Sequence, residues 1–292
     1  MSGEVSRESR EGRGTLYIVA TPIGNMEDIT IRAIRILKEV ALIAAEDTRH
    51  TRNLLKRYDI ETPLTSYHEH NEERKAESLL ARLREGTNIA IVTDAGTPGI
   101  SDPGYRLVKM AAADGIDVVA IPGPSALIAA LSLSGLPTDG FIFEGFPPSR
   151  KTERRKFLLR LNGVKKTIIL YESPRRIAKT VADIGEIMGD VELVIARELT
   201  KLHEEVMRGR AGEILEILEG CDIKGEITLL IAPRKGEERG EIPIDEGLRH
   251  YLDLGFTVRD AVDAVAAESG LPRRSVYRVA LEMKEGRKKR NG

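Results

Sequence analysis

The chain has 292 residues, of which 41% are hydrophobic and 31% charged, a balance typical of a globular protein rather than a disordered one. Lysine and arginine together number 45 against 46 acidic residues, and this net charge of -1 excludes a uniformly basic nucleic-acid-binding coat, although not a local basic patch. At about 150 residues per domain, the length predicts two domains.

The single cysteine, Cys221, excludes an intrachain disulfide and a multi-thiolate zinc site, and it fits a reducing cytosol. No apolar run approaches the roughly 18 residues that a membrane span needs. Residues 1–14 are polar and mixed in charge, which predicts a disordered tail rather than a signal peptide. The expected location is therefore cytoplasmic.

Short apolar segments alternate with helical patterns in the first half of the chain. Runs of branched apolar residues predict strands at 16–20, 42–45, 89–93 and 117–121. Apolar residues at helical spacing predict helices at 29–40, 48–58, 72–84, 105–114 and 125–133. This alternation is typical of an α/β domain with a parallel sheet, which we assign to residues 15–135.

The second half repeats the same style after a crossing at 136–145, which carries a strand-like FIFE segment. Helices are predicted at 150–161, 175–185 and 212–218, and strands at 167–171, 193–197 and 226–232. These elements predict a second α/β domain over residues 136–233. The charged, glycine-rich segment 233–240 is typical of a linker.

Residues 241–292 contain no predicted strand. Three helices are expected at 244–254, 258–269 and 273–283, and the last two resemble a helix-turn-helix with Gly270 in its turn. From residue 270 to 292 there are eight basic residues against two acidic ones, namely Arg273, Arg274, Arg278, Lys284, Arg287, Lys288, Lys289 and Arg290 against Glu282 and Glu285. This local charge favours a nucleic-acid-binding extension over a capping appendage with a solvated tail.

Four glycine- or proline-rich loops follow predicted strands, at 20–28, 94–104, 121–126 and 143–148. In an open parallel sheet, ligands bind beyond the carboxyl ends of the strands. None of these loops matches a Walker A loop or a dinucleotide fingerprint. The second loop, DAGTPGISDPG, packs three glycines, two prolines and two aspartates into eleven residues, which favours a ligand-binding loop over an ordinary turn.

Taken together, these loops resemble those of the ribosomal RNA small subunit methyltransferase I family, a branch of the tetrapyrrole methylase superfamily. The resembling segments run in order over about residues 15–232. They are LYIVATPIGNMEDIT (16–30), AAEDTRHT (44–51), AIVTDAGTPGISDPG (90–104), IPGPSA (121–126), GFIFEGFPP (140–148), YESPRR (171–176), ARELTKLHEE (196–205) and GEITLLI (225–231). AAEDTR and DAGTPGISDPG together separate this branch from the cobalamin-precursor and diphthine methylases.

The resemblance implies a two-domain tetrapyrrole-methylase-like α/β fold with a cofactor cleft between the domains, plus a small C-terminal helical extension. It implies that S-adenosylmethionine is the cofactor and that a cytidine in the decoding centre of 16S rRNA, cytidine 1402, is methylated on its ribose 2′-hydroxyl. The implied partners are small-subunit rRNA or the assembled small ribosomal subunit, and a second copy of the chain in a homodimer.

The resemblance also assigns residues to the cofactor. It places the methionine part near Asp94, Ala95, Gly96 and Thr97, with Ser125 and Ala126 beside it. It brings Tyr171, Leu199 and Thr228 to the adenosine side, and it lines the opening toward the acceptor with Pro22 and Gly24.

A ribose hydroxyl is a poor nucleophile at neutral pH, so a base or hydrogen-bond acceptor has to take its proton. The titratable residues in the matching segments are Glu46, Asp47, His50, Lys201, His203 and Glu204. We favour Glu46 or Asp47 as the acceptor, with Lys201 or Arg49 holding phosphate or tuning the acceptor. The alternative for this segment is a capped helix start, in which Asp47 or Thr48 is the N-cap and Arg49 is a surface charge.

Two further clusters have both a structural and a functional interpretation. His68, Glu69 and His70 lack thiolate support, so exposed polar residues are favoured over a metal site and no metal is expected. Six basic residues near the second-domain helix 150–161 are candidate RNA-phosphate contacts or a solvated helix face. They are Lys151, Arg154, Arg155, Lys156, Lys165 and Lys166.

Two functions from other classes stay open at this point. A methyltransferase acting on a tetrapyrrole predicts a roomy apolar cleft and no use for the basic C-terminal helices. A ligand-sensing regulator predicts duplex DNA binding and no turnover. The basic extension on a methylase-like body favours RNA as the substrate.

Overall fold

The computed structural model describes residues 12–233 and 243–290, apart from the side chains of Glu268 and residues 284–290. The chain divides into two compact units between Ala129 and Ala130. Residues 1–11 of the tail predicted for 1–14 lie outside the described residues. Residues 234–240 of the predicted linker also lie outside them. No described helix is long and apolar enough to cross a membrane.

The first unit is built on a five-stranded parallel sheet in the order β3-β2-β4-β1-β5. Its strands are β1 (Leu16–Val19), β2 (Leu42–Ala45), β3 (Leu64–Ser66), β4 (Ile89–Val92) and β5 (Val118–Ile121). Its helices are α1 (Ile31–Glu39), α2 (Thr48–Arg57), α3 (Glu72–Arg84), α4 (Tyr105–Ala113) and α5 (Ala126–Ser134), the last of which continues into the second unit.

Apolar cores cover both faces of this sheet. Successive residues of a strand point to opposite faces, so Ile89 packs in the core with α3 while its neighbour Ala90 packs in the core with α1 and α2. Burial on both faces explains why the central strands appear in the sequence as uninterrupted apolar runs. The α/β class and the parallel sheet predicted for this half are confirmed.

The second unit contains a mixed sheet in the order β6-β7-β10-β8-β9. Its strands are β6 (Phe141–Phe143), β7 (Thr167–Glu172), β8 (Glu192–Arg197), β9 (Glu205–Arg210) and β10 (Ile227–Ile231), and its first helices are α6 (Lys151–Leu161), α7 (Ile177–Met188) and α8 (Ala211–Glu219). Only β6 and β7 pair in parallel, while the other neighbours are antiparallel. The second half therefore keeps the α/β alternation but departs from the parallel style expected of it.

The sequence analysis did not predict two of the described strands, β3 and β9, and both lie at the edge of a sheet. β3 has only three residues, which is too short for a periodic pattern. β9 has the sequence EVMRGR, in which only Val206 and Met207 are apolar. Charged side chains on an edge strand protect its unpaired backbone from other chains, so the residues that suit β9 to the edge also hide it from a hydrophobic pattern.

The C-terminal segment is helical as predicted, with α9 (Ile244–Asp253), α10 (Val258–Ser269) and α11 (Arg273–Arg290). Thr257 caps α10 by accepting a hydrogen bond from the Asp260 amide at 3.2 Å, and the left-handed Gly270, with φ +68°, ends it. α11 continues past its predicted end at residue 283. These helices share one apolar core with the second sheet, through residues such as Leu248 and Val262.

A buried ion cluster lies on α6 and α7. Arg154 and Asp183 are each 3% exposed and Arg155 is 8% exposed. Asp183 Oδ2 lies 2.7 Å from Arg154 Nη2, and Asp183 Oδ1 lies 3.2 Å from Arg155 Nη1. Arg155 also donates to the Leu254 carbonyl oxygen at 3.3 Å and lies over the Phe256 ring. The cluster therefore joins the C-terminal helices to the α/β part of the unit.

This burial corrects the sequence-based interpretation of Arg154 and Arg155. They are neither RNA-phosphate contacts nor part of a solvated helix face, because the face of α6 that carries them packs against α7 and the turn after α9. The other four candidate cations are not buried in this way. Lys156 Nζ lies 3.8 Å from Asp260 Oδ2, and Lys151, Lys165 and Lys166 are exposed.

We expect Asp183→Ala to lower the free energy of unfolding by about 3–5 kcal/mol, because it leaves two buried guanidinium groups without their shared carboxylate. The matched control is Asp222→Ala, which removes an exposed partner of Lys224 and is expected to cost less than about 1 kcal/mol. Urea unfolding followed by circular dichroism measures both variants. Equal urea midpoints for the two variants would contradict a stabilising role for the buried ion cluster at Asp183.

Candidate functional site

Three loops of the first unit meet at the carboxyl edge of its sheet. Thr21, after β1, exchanges backbone hydrogen bonds with Gly96, after β4, at 2.9 and 3.1 Å. The Thr21 hydroxyl also donates to the Thr93 carbonyl oxygen at 3.0 Å. Thr97 Oγ1 lies 3.4 Å from the carbonyl oxygen of Pro124, which belongs to the loop after β5. Three of the four loops that the sequence analysis treated as separate candidates, 20–28, 94–104 and 121–126, are therefore one connected structure.

The loop 94–104 depends on residues in the left-handed region of φ. Gly96, Gly99 and Gly104 have φ of +84°, +83° and +149°, and Ser101, which is not glycine, has φ +63°. A side chain at any of these positions is strained regardless of the space around it. The glycines therefore allow the loop to fold back so that Gly96 reaches Thr21.

A second pair of hydrogen bonds ties the loop after β2 to the loop after β4. The Asp94 amide donates to Glu46 Oε2 at 3.3 Å, and the Asp47 amide donates to Asp94 Oδ1 at 3.1 Å. Each acidic side chain thus accepts from the backbone of the other loop. The exchange holds the Glu46 and Asp94 carboxylates at the same edge, although the residues are 48 positions apart in the chain.

The surroundings of two carboxyl groups at this edge, Glu46 and Asp102, raise their pKa. Burial raises the pKa of Glu46, although the hydrogen bond from the Asp94 amide offsets part of that effect. Burial, followed by the charges of Glu46 and Asp94, raises the pKa of Asp102 to about 7. Asp102 was not among the predicted site residues, and the only sequence signal for it was its place as the second aspartate of DAGTPGISDPG.

Asp47 and Arg49 adopt the arrangement that the sequence left open as an alternative. Asp47 is the N-cap of α2, and its Oδ1 accepts from the Arg49 amide at 2.8 Å. The Arg49 guanidinium lies 3.0 Å from Asp47 Oδ2, and its side chain is 87% exposed. Hydrogen bonds from Arg49 lower the pKa of Asp47 to about 2. Asp47 therefore stays ionised, with both carboxylate oxygens engaged.

The other predicted residues of the first unit lie on the same connected loops. Pro22 is buried beside Thr21, whereas Gly24 is exposed. Ser125 and Ala126 are half-buried at the start of α5. Together with Asp94, Ala95, Gly96 and Thr97, they form the part of the predicted cofactor-binding set that lies on this unit.

In the second unit, Tyr171 lies on β7 within an aromatic cluster. Its ring centroid is 4.9 Å from that of Phe143 and 5.6 Å from that of Phe146. Thr228, on β10, is 4% exposed and is the register partner of Tyr171. Two residues that the sequence placed far apart are thus cross-strand neighbours.

The loop that follows β8 carries the predicted residues Leu199 and Lys201. Leu199 is buried, and its neighbours Glu198 and Thr200 have φ of +52° and +65°. Glu198 lies close over Gly225, where a Cβ would approach its carboxyl carbon within 2.3 Å. Backbone strain of this kind at non-glycine residues is common in binding sites.

Lys201 is held by two carboxylates, Glu198 Oε1 at 2.8 Å and Glu226 Oε2 at 3.2 Å. Burial alone would lower the pKa of Lys201, but these carboxylates raise it. Lys201 therefore remains a cation, which excludes it as a general base.

The cluster of two histidines and a glutamate is only partly exposed. Glu69 and His70 are exposed, whereas His68 is half-buried and its Nε2 lies 3.0 Å from Asn71 Nδ2. Within residues 12–233 and 243–290, no group of three histidine, cysteine, aspartate or glutamate side chains is arranged to hold a metal ion.

Comparison with known families supports the fold expected from the loops. The sequence model of the family described as Tetrapyrrole (Corrin/Porphyrin) Methylases matches residues 15–215. This range contains all of the first unit's sheet and four of the five strands of the second.

Two curated relatives are named ribosomal RNA small subunit methyltransferase I. The chain is 46% identical to the relative from Halalkalibacterium halodurans over 285 residues, which is 96% of this chain and 99% of the relative. It is 50% identical to the relative from Thermotoga maritima over 222 residues, which is 76% of this chain and all of the relative.

Among solved structures, the chain is similar to uroporphyrin-III C-methyl transferase from Thermus thermophilus complexed with S-adenyl homocysteine. The TM-score is 0.52 at 19% identity, covering 75% of this chain and 97% of that structure. At this identity the likeness shows the fold alone, and it confirms the predicted tetrapyrrole-methylase-like architecture.

Asp102 makes the stability of the first unit depend on pH. Its pKa is 3.8 in an unfolded chain and about 7 in the fold, so its protonated form stabilises the fold below pH 4 and that contribution is lost as the pH rises through 7. We expect Asp102→Asn to lose less stability than the wild type between pH 4 and pH 8. Urea unfolding at several pH values measures this difference.

The control for that measurement is Glu77→Gln, because Glu77 is an exposed carboxyl group on α3. Its unfolding midpoint is expected to follow the wild-type pH profile. If the Asp102→Asn profile also runs parallel to the wild type, Asp102 does not titrate within this cluster.

Proposed function

The chain belongs to the ribosomal RNA small subunit methyltransferase I family of the tetrapyrrole methylases, and from this premise we propose that it transfers a methyl group from S-adenosylmethionine to the ribose 2′-hydroxyl of a cytidine in 16S rRNA. The proposed nucleotide is cytidine 1402, in the decoding centre. The substrate is small-subunit rRNA or the assembled small subunit.

The observation that carries this proposal is the connected loop edge of the first unit, found in a chain whose family membership extends over nearly its whole length. The edge holds a half-buried carboxyl group, Glu46, beside a loop whose glycines adopt positive φ. A methyl transfer to a hydroxyl needs these two parts, a cradle for the methyl donor and an acceptor for the hydroxyl proton.

The residues of this edge fit the methionine end of S-adenosylmethionine. Asp94 and Ala95 are half-buried and accessible, so the Asp94 carboxylate suits the ammonium group. Gly96 is buried, and a Cβ there would lie 3.5 Å from Ile23 Cγ2 and 3.8 Å from the Pro124 carbonyl oxygen, so this position brings the loops after β1, β4 and β5 close together. We assign Pro22, Gly24, Asp94, Ala95, Gly96, Thr97, Ser125, Ala126, Tyr171, Leu199 and Thr228 to the cofactor.

The bound cofactor supplies an activated methyl group on a positively charged sulfur. The protein then has to orient the ribose, exclude water and accept a proton from the 2′-hydroxyl. Glu46 is the proposed proton acceptor, because its raised pKa gives it a stronger affinity for a proton than an exposed glutamate has. Asp94 orients Glu46 through the amide hydrogen bond at 3.3 Å.

Asp47 has a different proposed role from Glu46. Its low pKa makes it a weak proton acceptor, and its carboxylate holds Arg49 at the start of α2. The exposed Arg49 guanidinium is proposed to contact an rRNA phosphate. Lys201 is proposed to hold a second phosphate from the second unit.

The C-terminal helices are proposed to bind RNA through one face of α11. Arg274, Tyr277, Arg278 and Leu281 are all exposed, and their spacing places them on the same side of the helix. Two guanidinium groups with an exposed aromatic ring between them suit phosphates and an unstacked base. Val276 and Ala280 face the core, so the exposed face points away from the sheet.

A homodimer in the cytoplasm is the proposed state of the protein. Light scattering measures the mass directly, and a value near the chain mass of 32.2 kDa would contradict the dimer.

We expect labelled S-adenosylmethionine to yield 2′-O-methylcytidine when the protein is incubated with small ribosomal subunits or naked 16S rRNA. Digestion to nucleosides followed by mass spectrometry identifies the product. Label in a tetrapyrrole precursor alone would move the protein to the small-molecule branch of its superfamily, and binding of duplex DNA without turnover would indicate a regulator.

We expect Glu46→Gln to lower kcat by about 10²–10⁴-fold, the range for losing a positioned proton acceptor, with cofactor affinity unchanged. The matched control is Asp47→Asn, which keeps an N-capping side chain and is expected to retain most of kcat. Single-turnover methylation and calorimetric binding of S-adenosyl homocysteine separate the two steps. A larger kcat loss in Asp47→Asn than in Glu46→Gln would reverse the assignment.

A further inference from the structure

An exposed aromatic side chain, Phe146, lies at the carboxyl edge of the second sheet. It belongs to the loop 144–150 that follows β6, and it is 56% exposed. The parallel strands β6 and β7 both end at this edge. A large apolar side chain exposed at a ligand-binding edge raises the question of what it contacts.

The backbone around Phe146 is fixed on both sides. The Gly145 carbonyl oxygen accepts from the Tyr171 amide at 2.9 Å, and the Pro147 carbonyl oxygen accepts from Arg176 Nη1 at 3.1 Å. Farther along the loop, the Ser149 carbonyl oxygen accepts from Arg154 Nη1 at 3.3 Å. Three anchors in five residues hold the loop in one conformation.

The two arginine anchors are themselves fixed by buried carboxylates. Arg154 pairs with Asp183, and Arg176 Nη2 lies 2.6 Å from Oε1 of Glu172. Glu172 is 2% exposed, and its Oε2 accepts from the Thr180 hydroxyl at 2.7 Å. The hydrogen bonds and ion pairs around the loop therefore hold its backbone in the conformation that exposes Phe146.

One side of the Phe146 ring is already supported. The ring tilts at 57° against Tyr171, which also contacts the edge-on ring of Phe143. These contacts restrict the rotation of Phe146 and leave about half of its surface accessible. A rigid, accessible aromatic ring is the usual platform for stacking an unpaired nucleobase, and it loses little conformational freedom when the base binds.

The charges next to this ring suit a polyanion. Arg150, Lys151 and Arg175 are exposed in the loop, at the start of α6 and beside the anchor Arg176. The same segments carry two exposed carboxylates, Glu144 on the loop and Glu153 in the first turn of α6, so the cations are in excess. S-adenosylmethionine carries a net positive charge, so this surrounding disfavours it as the molecule that covers Phe146. Phosphates of a single-stranded RNA match the charge, and its bases match the ring.

We propose that Phe146 is a stacking platform for an unpaired base of the substrate RNA, with Arg150, Lys151 and Arg175 contacting the flanking phosphates. This inference rests on the proposed function, since it concerns the same RNA substrate. It adds a binding residue for the base that is not among the assigned cofactor residues, although its ring packs against one of them, Tyr171, and that is distinct from the proton acceptor Glu46.

The test uses the full chain and three variants, Phe146→Ala, Phe146→Trp and Phe141→Ala. Phe141 is a matched control, because it is an exposed phenylalanine on β6 of the same unit. The probes are a fluorescein-labelled, unstructured single-stranded RNA and the same RNA with abasic riboses, both measured by anisotropy. Calorimetry with S-adenosyl homocysteine measures the cofactor affinity of each variant.

We expect Phe146→Ala to weaken binding of the intact RNA about tenfold, the effect of losing one base stack, and to leave the abasic RNA and the cofactor unaffected. Phe146→Trp retains the affinity because it keeps a stacking face, and Phe141→Ala stays within twofold of the wild type. Equal RNA binding by Phe146→Ala and the wild type overturns the proposal, and so does an equal loss with abasic RNA or with the cofactor.

These outcomes are separate from those that test the proposed function. In one case, Phe146→Ala binds the intact RNA more weakly than the wild type, but the wild type transfers no methyl group to rRNA. This result supports the stacking platform and contradicts the proposed reaction. A wild-type protein that methylates rRNA, with a Phe146→Ala variant of unchanged RNA affinity and KM, supports the reaction and contradicts the platform.

Discussion

The exchange of backbone hydrogen bonds between Thr21 and Gly96 is the constraint on which the first unit's site depends. It requires a left-handed backbone at Gly96, and it brings the loops after β1 and β4 into contact. The reciprocal bonds of Glu46 and Asp94 add the loop after β2. Burial at this edge raises the pKa of Glu46, and the hydrogen bond from the Asp94 amide offsets only part of that rise, so the edge also carries a carboxyl group suited to accept a proton.

In the second unit, the corresponding constraint is electrostatic. Asp183 pairs with two buried arginines, Arg154 and Arg155, and Glu186 gives Arg155 a second carboxylate. Arg154 holds the loop 144–150, and Arg155 holds the turn after α9. A buried carboxylate shared in this way is costly to remove. Through the two arginines it joins the loop 144–150 to the C-terminal helices of the same unit. The helices that we propose as an RNA-binding surface are therefore part of the same packed core, not an independent appendage.

The sequence predicted the central strands and most helices because burial on both faces leaves apolar runs such as IAIV in β4. It missed β9, whose edge position favours charge, and it did not predict the antiparallel pairing of β10, because strand direction depends on how the chain returns. It identified the glycine-rich loop 94–104 from composition. It failed on Arg154, Arg155 and Asp102, because helical spacing and loop composition do not reveal which charges become buried by distant segments.

The central claim is that the connected loop edge of the first unit is the cofactor cradle and that Glu46 accepts the proton from the ribose. A crystal structure with S-adenosyl homocysteine and a short RNA containing the acceptor cytidine tests it most directly. We expect the methionine part of the cofactor to lie against Asp94 and Gly96, and the ribose 2′-hydroxyl to lie within hydrogen-bond distance of the Glu46 carboxylate. A 2′-hydroxyl directed at Asp47, or a cofactor bound away from the loop 94–104, would contradict it.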